Sequence, residues 1–190
     1  MNIARFEKLY QTQRDPWNYC FSPYEQEKYA RTLKALPKIH YKNALEIGCS
    51  IGVLTRRLST RCQHITGIDC APTALMHARD HCKNMENISF KQAFLPDEWP
   101  DGHYDLIIFS EILYYLPKDS IEILARKTAI TLSLGGDCIC VNYRKPMTEI
   151  MQGDEAAMTF NQAFYTDSAF CQPITVETEN YRIDILNLED

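Results

Sequence analysis

The segment Glu46-Ile47-Gly48-Cys49-Ser50-Ile51-Gly52 joins an acid to two glycines at a strand-to-helix turn. Open α/β sheets bind ligands at such turns. Gly48 lets the backbone turn sharply and approach a ligand closely, and Gly52 permits tight packing of the following helix on the strand. The spacing is G-x-x-x-G, so the middle glycine that clears room for a pyrophosphate is missing. A ligand without phosphates fits this loop better. Glu46 ends a buried strand, where an acid is costly unless it has a partner. That partner is either a ligand ammonium group, met directly or through water, or an internal backbone N–H or cation. Asp69 lies 21 residues after Gly48. An acid at that distance is placed to hydrogen-bond both hydroxyls of a ribose, or it simply starts the helix before Pro72. Cys49 and Ser50 within the loop, and Cys70 beside Asp69, are candidate contacts for the same ligand.

A second group is Ser110-Glu111 with Tyr114 and Tyr115. Aromatic faces attract cations, so the tyrosines are candidates to flank a charged group, with core packing as the alternative. Trp17 and Tyr24 are candidates on the same reasoning. His77 and His81 have the i, i+4 spacing of metal ligands, but the H-E-x-x-H glutamate and a third ligand are missing. They read as a solvated helix face, and so do Arg56, Arg57 and Arg61. No metal is expected, and no Ser/His/Asp or Cys/His constellation stands out.

Short apolar runs alternating with helical patterns must position these residues. Strands are expected at 43–48, 64–69, 88–93, 104–110 and 137–142. The fourth, centred on Leu106-Ile107-Ile108-Phe109, reads as buried on both faces. Helices are expected after Gly52, with Leu54 and Leu58 on one face, and from Pro72, with Ala74, Ala78 and Cys82 on one stripe. Another follows Pro117, with Asp119 and Glu122 as a capping box and Gly135-Gly136 as its end. A further helix spans 147–164. Residues 174–178 and 181–186 read as an antiparallel hairpin turned at Glu179-Asn180. The expected fold is α/β: a Rossmann-like, seven-stranded, mostly parallel sheet with a C-terminal antiparallel hairpin and helices on both faces. Residues 1–36 are aromatic-rich and contain a helix over 25–36. They form a cap over the carboxyl edge of the sheet, with 37–190 as the main body of a single domain.

A chain of 190 residues with net charge −5 suits one ordinary core and offers no strong phosphate-backbone footprint. No stretch nears the roughly 20 apolar residues of a membrane span, and the first ten residues carry no apolar signal core. These features predict a cytoplasmic protein that binds neither nucleic acid nor membrane. Eight cysteines without a C-x-x-C pair read as reduced thiols acting as small hydrophobes.

The runs Leu45–Gly52, Gly67-Ile68-Asp69, Tyr104–Glu111 and Leu134-Gly135-Gly136 make the chain resemble class I S-adenosylmethionine-dependent methyltransferases. Asp15-Pro16-Trp17-Asn18-Tyr19, Ser22–Tyr29 and Ser110–Leu116 narrow the resemblance to the nodulation protein S family. That family N-methylates the free amine of chitooligosaccharide signals. The resemblance implies S-adenosylmethionine held by Glu46, Gly48, Cys49, Ser50, Gly52, Asp69, Cys70, Ser110 and Trp17. Glu111, Tyr114 and Tyr115 would face the transferred methyl group. Phe94 departs from the pattern by standing where an acid usually meets adenine, so backbone groups near Ala93 to Leu95 are expected to hold the base, with Phe94 stacking. The implied function is methyl transfer to a small-molecule amine, such as an amino sugar. The alternatives are a small-molecule O-methyltransferase and a non-catalytic S-adenosylmethionine-binding module. The missing glycine argues against a nucleotide-dependent oxidoreductase.

Overall fold

The computed structural model describes residues 3–165 and 172–188. Its strands are β1 Tyr41–Ile47, β2 Cys62–Asp69, β3 Ile88–Gln92, β4 Tyr104–Ser110, β5 Leu132–Tyr143, β6 Ile174–Glu177 and β7 Tyr181–Asn187. They form a seven-stranded sheet in the order β3-β2-β1-β4-β5-β7-β6. The chain divides between Phe94 and Leu95 into two compact units, described in turn.

In the first unit β1, β2 and β3 pair in parallel. The helices are α1 Ile3–Thr12, α2 Pro23–Ala35, α3 Val53–Leu58 and α4 Pro72–His81. Ala44, Leu45, Ile47, Leu58, Ile65 and Ala78 have no exposure, so apolar burial fixes the registers. Pro23 and Pro72 each occupy a first turn, where the missing N–H costs nothing. Ser22 caps α2 through the Glu25 N–H. Helix α4 has no local side-chain cap. Instead Glu7, on α1, accepts from the N–H of Thr73 at 3.1 Å and from its hydroxyl at 2.5 Å. A carboxylate at a helix N-terminus satisfies orphan donors and meets the positive end of the dipole. Arg61 ties down the chain between α2 and β1 through the carbonyls of Leu33, Lys38 and Ile39.

In the second unit β4 and β5 are parallel, and β7 is antiparallel to both β5 and β6. Leu106, Ile107, Ile108 and Phe109 are fully buried, and Phe109 packs against Phe160 with ring centroids 4.8 Å apart. The helices are α5 Lys118–Thr131 and α6 Gly153–Phe164. The hairpin turns at residues 178–180 as expected.

Three expectations are corrected here. The Asp119–Glu122 capping box does not form: Pro117 occupies the N-cap position without a side-chain hydrogen bond. Asp119 sits in the first turn and acts only on the dipole. Helix α5 ends at Thr131, not at Gly135-Gly136. Leu132 already pairs with Tyr104, and the register then jumps so that Asp137 faces Leu106. The glycines therefore belong to an irregularity within β5. Gly135 has φ +67, and a Cβ on Gly136 would lie 2.7 Å from the Ser133 carbonyl oxygen. The helix expected from Met147 begins at Gly153. Its start abuts β5 so closely that a Cβ there would lie 1.7 Å from the Tyr143 carbonyl oxygen, which only glycine allows.

Candidate functional site

The turn after β1 is a left-handed run: Gly48, Ser50 and Gly52 have φ of 76°, 51° and 78°. A non-glycine residue at positive φ is a strained choice that clusters at ligand sites. The N–H groups of Gly48 and Cys49 both donate to the Ile68 carbonyl, at 2.9 and 3.0 Å, and Gly52 N–H donates to the Cys49 carbonyl at 2.9 Å. Gly67, which the sequence reading did not single out as a site residue, makes this stacking possible. A Cβ there would lie 2.9 Å from Cys49 Cβ and from Phe90 Cε1. A Cβ on Gly52 would lie 3.2 Å from Ala78 Cβ, Cys82 Sγ and Phe90 Cζ, so its tight packing is against α4 and β3.

Asp69 stitches the turn after β1 to the turn after β2. One oxygen accepts the Ser50 N–H at 3.0 Å and the other the Ala71 N–H at 2.9 Å. Burial raises its pKa, and these backbone bonds oppose the rise. The N–H and thiol of Cys70 are further donors to the same carboxylate.

Glu46 is 1% exposed, and its Oε2 has no hydrogen-bond partner among the described residues. Burial pushes its pKa up to about 8; the neighbouring Thr55 hydroxyl opposes the rise, and the Asp69 charge adds to it. A buried carboxyl oxygen with no donor is costly. An ammonium group would supply the missing donor.

Helix α1 supplies a residue that sequence reasoning missed. The Tyr10 hydroxyl meets Ser50 Oγ at 2.6 Å, and burial first, then the Asp69 charge, holds it well above the usual tyrosine range. Its only sequence signal is the i, i+4 pairing with Phe6 on an amphipathic helix. Trp17 is half-buried in an aromatic cluster, with centroids 6.4 Å from Phe6 and 5.7 Å from both Tyr10 and Tyr19. The Tyr24 ring lies 5.1 Å from the ammonium of Lys28. Burial raises the Cys49 thiol, and it pushes Cys70 up to about 12 with the Asp69 charge adding. Both line the turn as neutral groups and not as nucleophiles. Phe94 is half-buried just past Ala93, whose N–H donates to the Asp69 carbonyl at 3.1 Å. Leu95 is half-buried at the start of the next unit.

In the second unit Ser110 is half-buried at the end of β4. Glu111 follows with φ +59. Its N–H donates to the Val141 carbonyl at 2.9 Å. Its Oε2 accepts the Tyr114 hydroxyl at 2.6 Å and the Tyr143 N–H at 3.2 Å. Tyr114 and Tyr115 rings lie 4.6 Å apart. Glu111, Tyr114 and Tyr115 are therefore brought together, and the carboxylate is held in one orientation. Asn142, also missed, lies between the two β5 residues that clamp Glu111. It is fully buried, and both amide atoms lack a partner among the described residues. Nothing in an apolar strand pattern flags a single Asn as such a site.

A family model described as nodulation protein S matches residues 6–134. The nodulation protein S of Sinorhizobium fredii strain NGR234 is 32% identical over 117 residues, 61% of this chain and 52% of the relative. That of Rhizobium tropici is 34% identical over 103 residues, 54% and 43% respectively. The chain thus spans about half the length of the curated relatives it matches. Among solved structures, a putative methyltransferase from Pseudomonas syringae is 26% identical, with TM-score 0.73, covering 86% of this chain and 97% of that one. The N-methyltransferase NodS from Bradyrhizobium japonicum WM9, in complex with S-adenosyl-L-homocysteine, shares the fold over the whole of both chains, with TM-score 0.82 and 20% identity. With more than half of its length matched by that family model, the chain belongs to the nodulation protein S family.

Proposed function

We propose that this chain is an S-adenosylmethionine-dependent methyltransferase acting on the amine of a small-molecule acceptor. The observation that carries the proposal is the buried, donor-less Oε2 of Glu46 beside a left-handed glycine turn. It fits the ammonium of the cofactor's amino-acid end, and the Asp69 carboxylate, fixed between the two turns, fits its ribose hydroxyls. The turn has no pyrophosphate glycine, as suits a nucleoside without phosphates. The NodS structure holding S-adenosyl-L-homocysteine supports the same ligand.

When bound, the cofactor supplies a methyl group on a sulfonium centre. The protein's task is positioning, which can lower a barrier by roughly 7–11 kcal/mol. Glu46 anchors the ammonium end, and Asp69 the ribose. Phe94 and the backbone from Ala93 to Leu95 hold the base. Trp17, Cys49 and Cys70 complete the cofactor's walls. Glu111, oriented by Tyr114 and the Tyr143 N–H, orients the acceptor amine or takes the extra proton of its ammonium form, so that the nitrogen lone pair is free. Tyr114 and Tyr115 line the acceptor side, and the unpartnered Asn142 amide offers a donor and an acceptor to its polar groups. The protein acts in the cytoplasm.

Calorimetry with S-adenosylhomocysteine on wild type and Asp69→Ala, followed by product mass analysis on amine and hydroxyl acceptors, tests the reading. A Kd weakened at least tenfold by Asp69→Ala, with methylated amine as product, is expected. Undetectable binding refutes the cofactor. Binding without turnover on any acceptor makes the chain a binding module, and a methylated hydroxyl makes it an O-methyltransferase. Glu111→Ala should lower kcat by about 100-fold or more; unchanged turnover in both Glu111→Ala and Glu111→Gln removes that residue from the mechanism.

A further inference from the structure

Two sequence features that read as solvated faces converge on one cleft. Arg56 and Arg57 of α3, and His77 and His81 one turn apart on α4, line a single open cavity of about 920 Å³. Arg14, Asp15 and Phe21, from the connection between α1 and α2, close its other side. The whole cleft lies within the first unit. Its volume is near the upper end of small-molecule sites.

The lining charge is strongly one-sided. Three guanidinium groups and two imidazoles face one carboxylate, in a chain whose formal net charge is −5. That carboxylate, Asp15, is already engaged by the N–H groups of Tyr19 and Cys20, at 2.8 and 2.9 Å. Arg57 is held in place by Gln26 and lies over the Tyr29 ring at 5.4 Å. Arg56 is exposed and reaches the His81 carbonyl only at a long 3.4 Å. Arg14 pairs with Asp80 in an exposed bridge, a weak commitment. Burial, then Arg56 and Arg14, lower the His81 pKa, while Asp80 and Asp15 oppose that shift. An anion seated among these groups would reverse the repulsion. At the rim Phe21 is 82% exposed, a large aromatic offered to solvent.

We infer that this cleft is a second ligand site, which takes a small phosphate-bearing molecule with an aromatic part. The phosphate sits among Arg14, Arg56, Arg57 and His81, whose planar forks suit its oxygens. The aromatic part stacks on Phe21. Binding takes up a proton at His81, so affinity rises as pH falls through the histidine range. The inference is independent of methyl transfer.

Calorimetry with phenyl phosphate, inorganic phosphate, sulfate and chloride at matched ionic strength tests it, at about pH 6 and about pH 8. Expected are saturable binding of phenyl phosphate ahead of inorganic phosphate, and several-fold tighter binding at the lower pH. Arg56→Glu should weaken it about tenfold or more. His81→Gln should leave only the pH dependence that the probe's own second ionisation, at about pH 6, imposes, and Phe21→Ala should remove the preference for the phenyl group. S-adenosylhomocysteine affinity, the check on folding, should not change in any variant. Absence of saturable binding overturns the inference. So does binding that sulfate and chloride match and Arg56→Glu leaves unchanged, which would be surface screening alone.

Discussion

Replacing Glu46 by Gln keeps the shape of a fully buried side chain and removes its titration. In the folded chain burial moves this carboxyl from 4.5 to about 8. A raised folded pKa means the neutral form is preferred inside. Its stabilising effect is complete below about pH 4.5 and is lost as pH climbs toward about 8. At about 1.36 kcal/mol per pH unit, the full loss is about 5 kcal/mol. Between about pH 5 and about pH 7.5 it is about 3 kcal/mol. Gln pays none of this. The stability advantage of Glu46→Gln should therefore grow by about 3 kcal/mol across that interval, or about 1–2 M in urea midpoint at an m of about 2 kcal/mol/M. The same substitution should weaken S-adenosylhomocysteine binding about tenfold to a hundredfold, since a charge-assisted hydrogen bond is lost. Wild-type binding near neutral pH should release protons, seen as a buffer-dependent calorimetric heat. A Glu46→Gln advantage that is the same at both pH values, or an unaltered Kd, would refute the assignment of Glu46 as a buried carboxyl awaiting a cation.

Gly52→Ala forces a Cβ into positive φ and to 3.2 Å from three neighbours. It should cost about 2–4 kcal/mol, read as a drop in Tm of about 5–15 °C; an unchanged Tm would contradict the packing described. Tyr10→Phe removes the hydrogen bond to Ser50 and should cost about 0.5–1.5 kcal/mol in denaturant unfolding, and no loss would show that the α1 contact carries no weight. Asn142→Leu removes a buried amide without partners among the described residues and should stabilise the fold by about 1–3 kcal/mol, while kcat/KM on the amine acceptor falls. Destabilisation with full activity would place the amide in a structural role.

Much of the architecture is legible along the chain because strand burial is a local pattern. The run Leu106–Phe109 can only be satisfied between two covered faces, and it forms the centre of β4. Pro72 marks a helix start because proline tolerates few other helical positions, whereas α2 begins at Pro23, two residues before the expected helix. The boundaries that were misread share one cause. Gly135-Gly136 resembles a helix stop, yet Leu132 leaves the helix as soon as β4 offers a partner. Met147 to Gln152 has helical composition, but α6 begins only at Gly153, where the chain can approach the Tyr143 carbonyl.

The composition of the turn after β1 is legible for a different reason. Acid, glycines and a second acid some 20 residues on are demands that one ligand places on one short stretch of backbone. The order of the strands and of the helices from α2 onward, the sharp glycine turn after β1 and the acids at the ends of β1 and β2 could thus be read along the chain. Those features follow from local conformational limits and from the cost of burying polar groups. Folding in three dimensions, and nothing local, makes Asp69 bridge two turns, brings Tyr10 to Ser50, lets Glu7 cap α4 from another helix and clamps Glu111 between Tyr114 and Tyr143. Each of these unites residues that chain folding, and no periodicity, brings within hydrogen-bond reach.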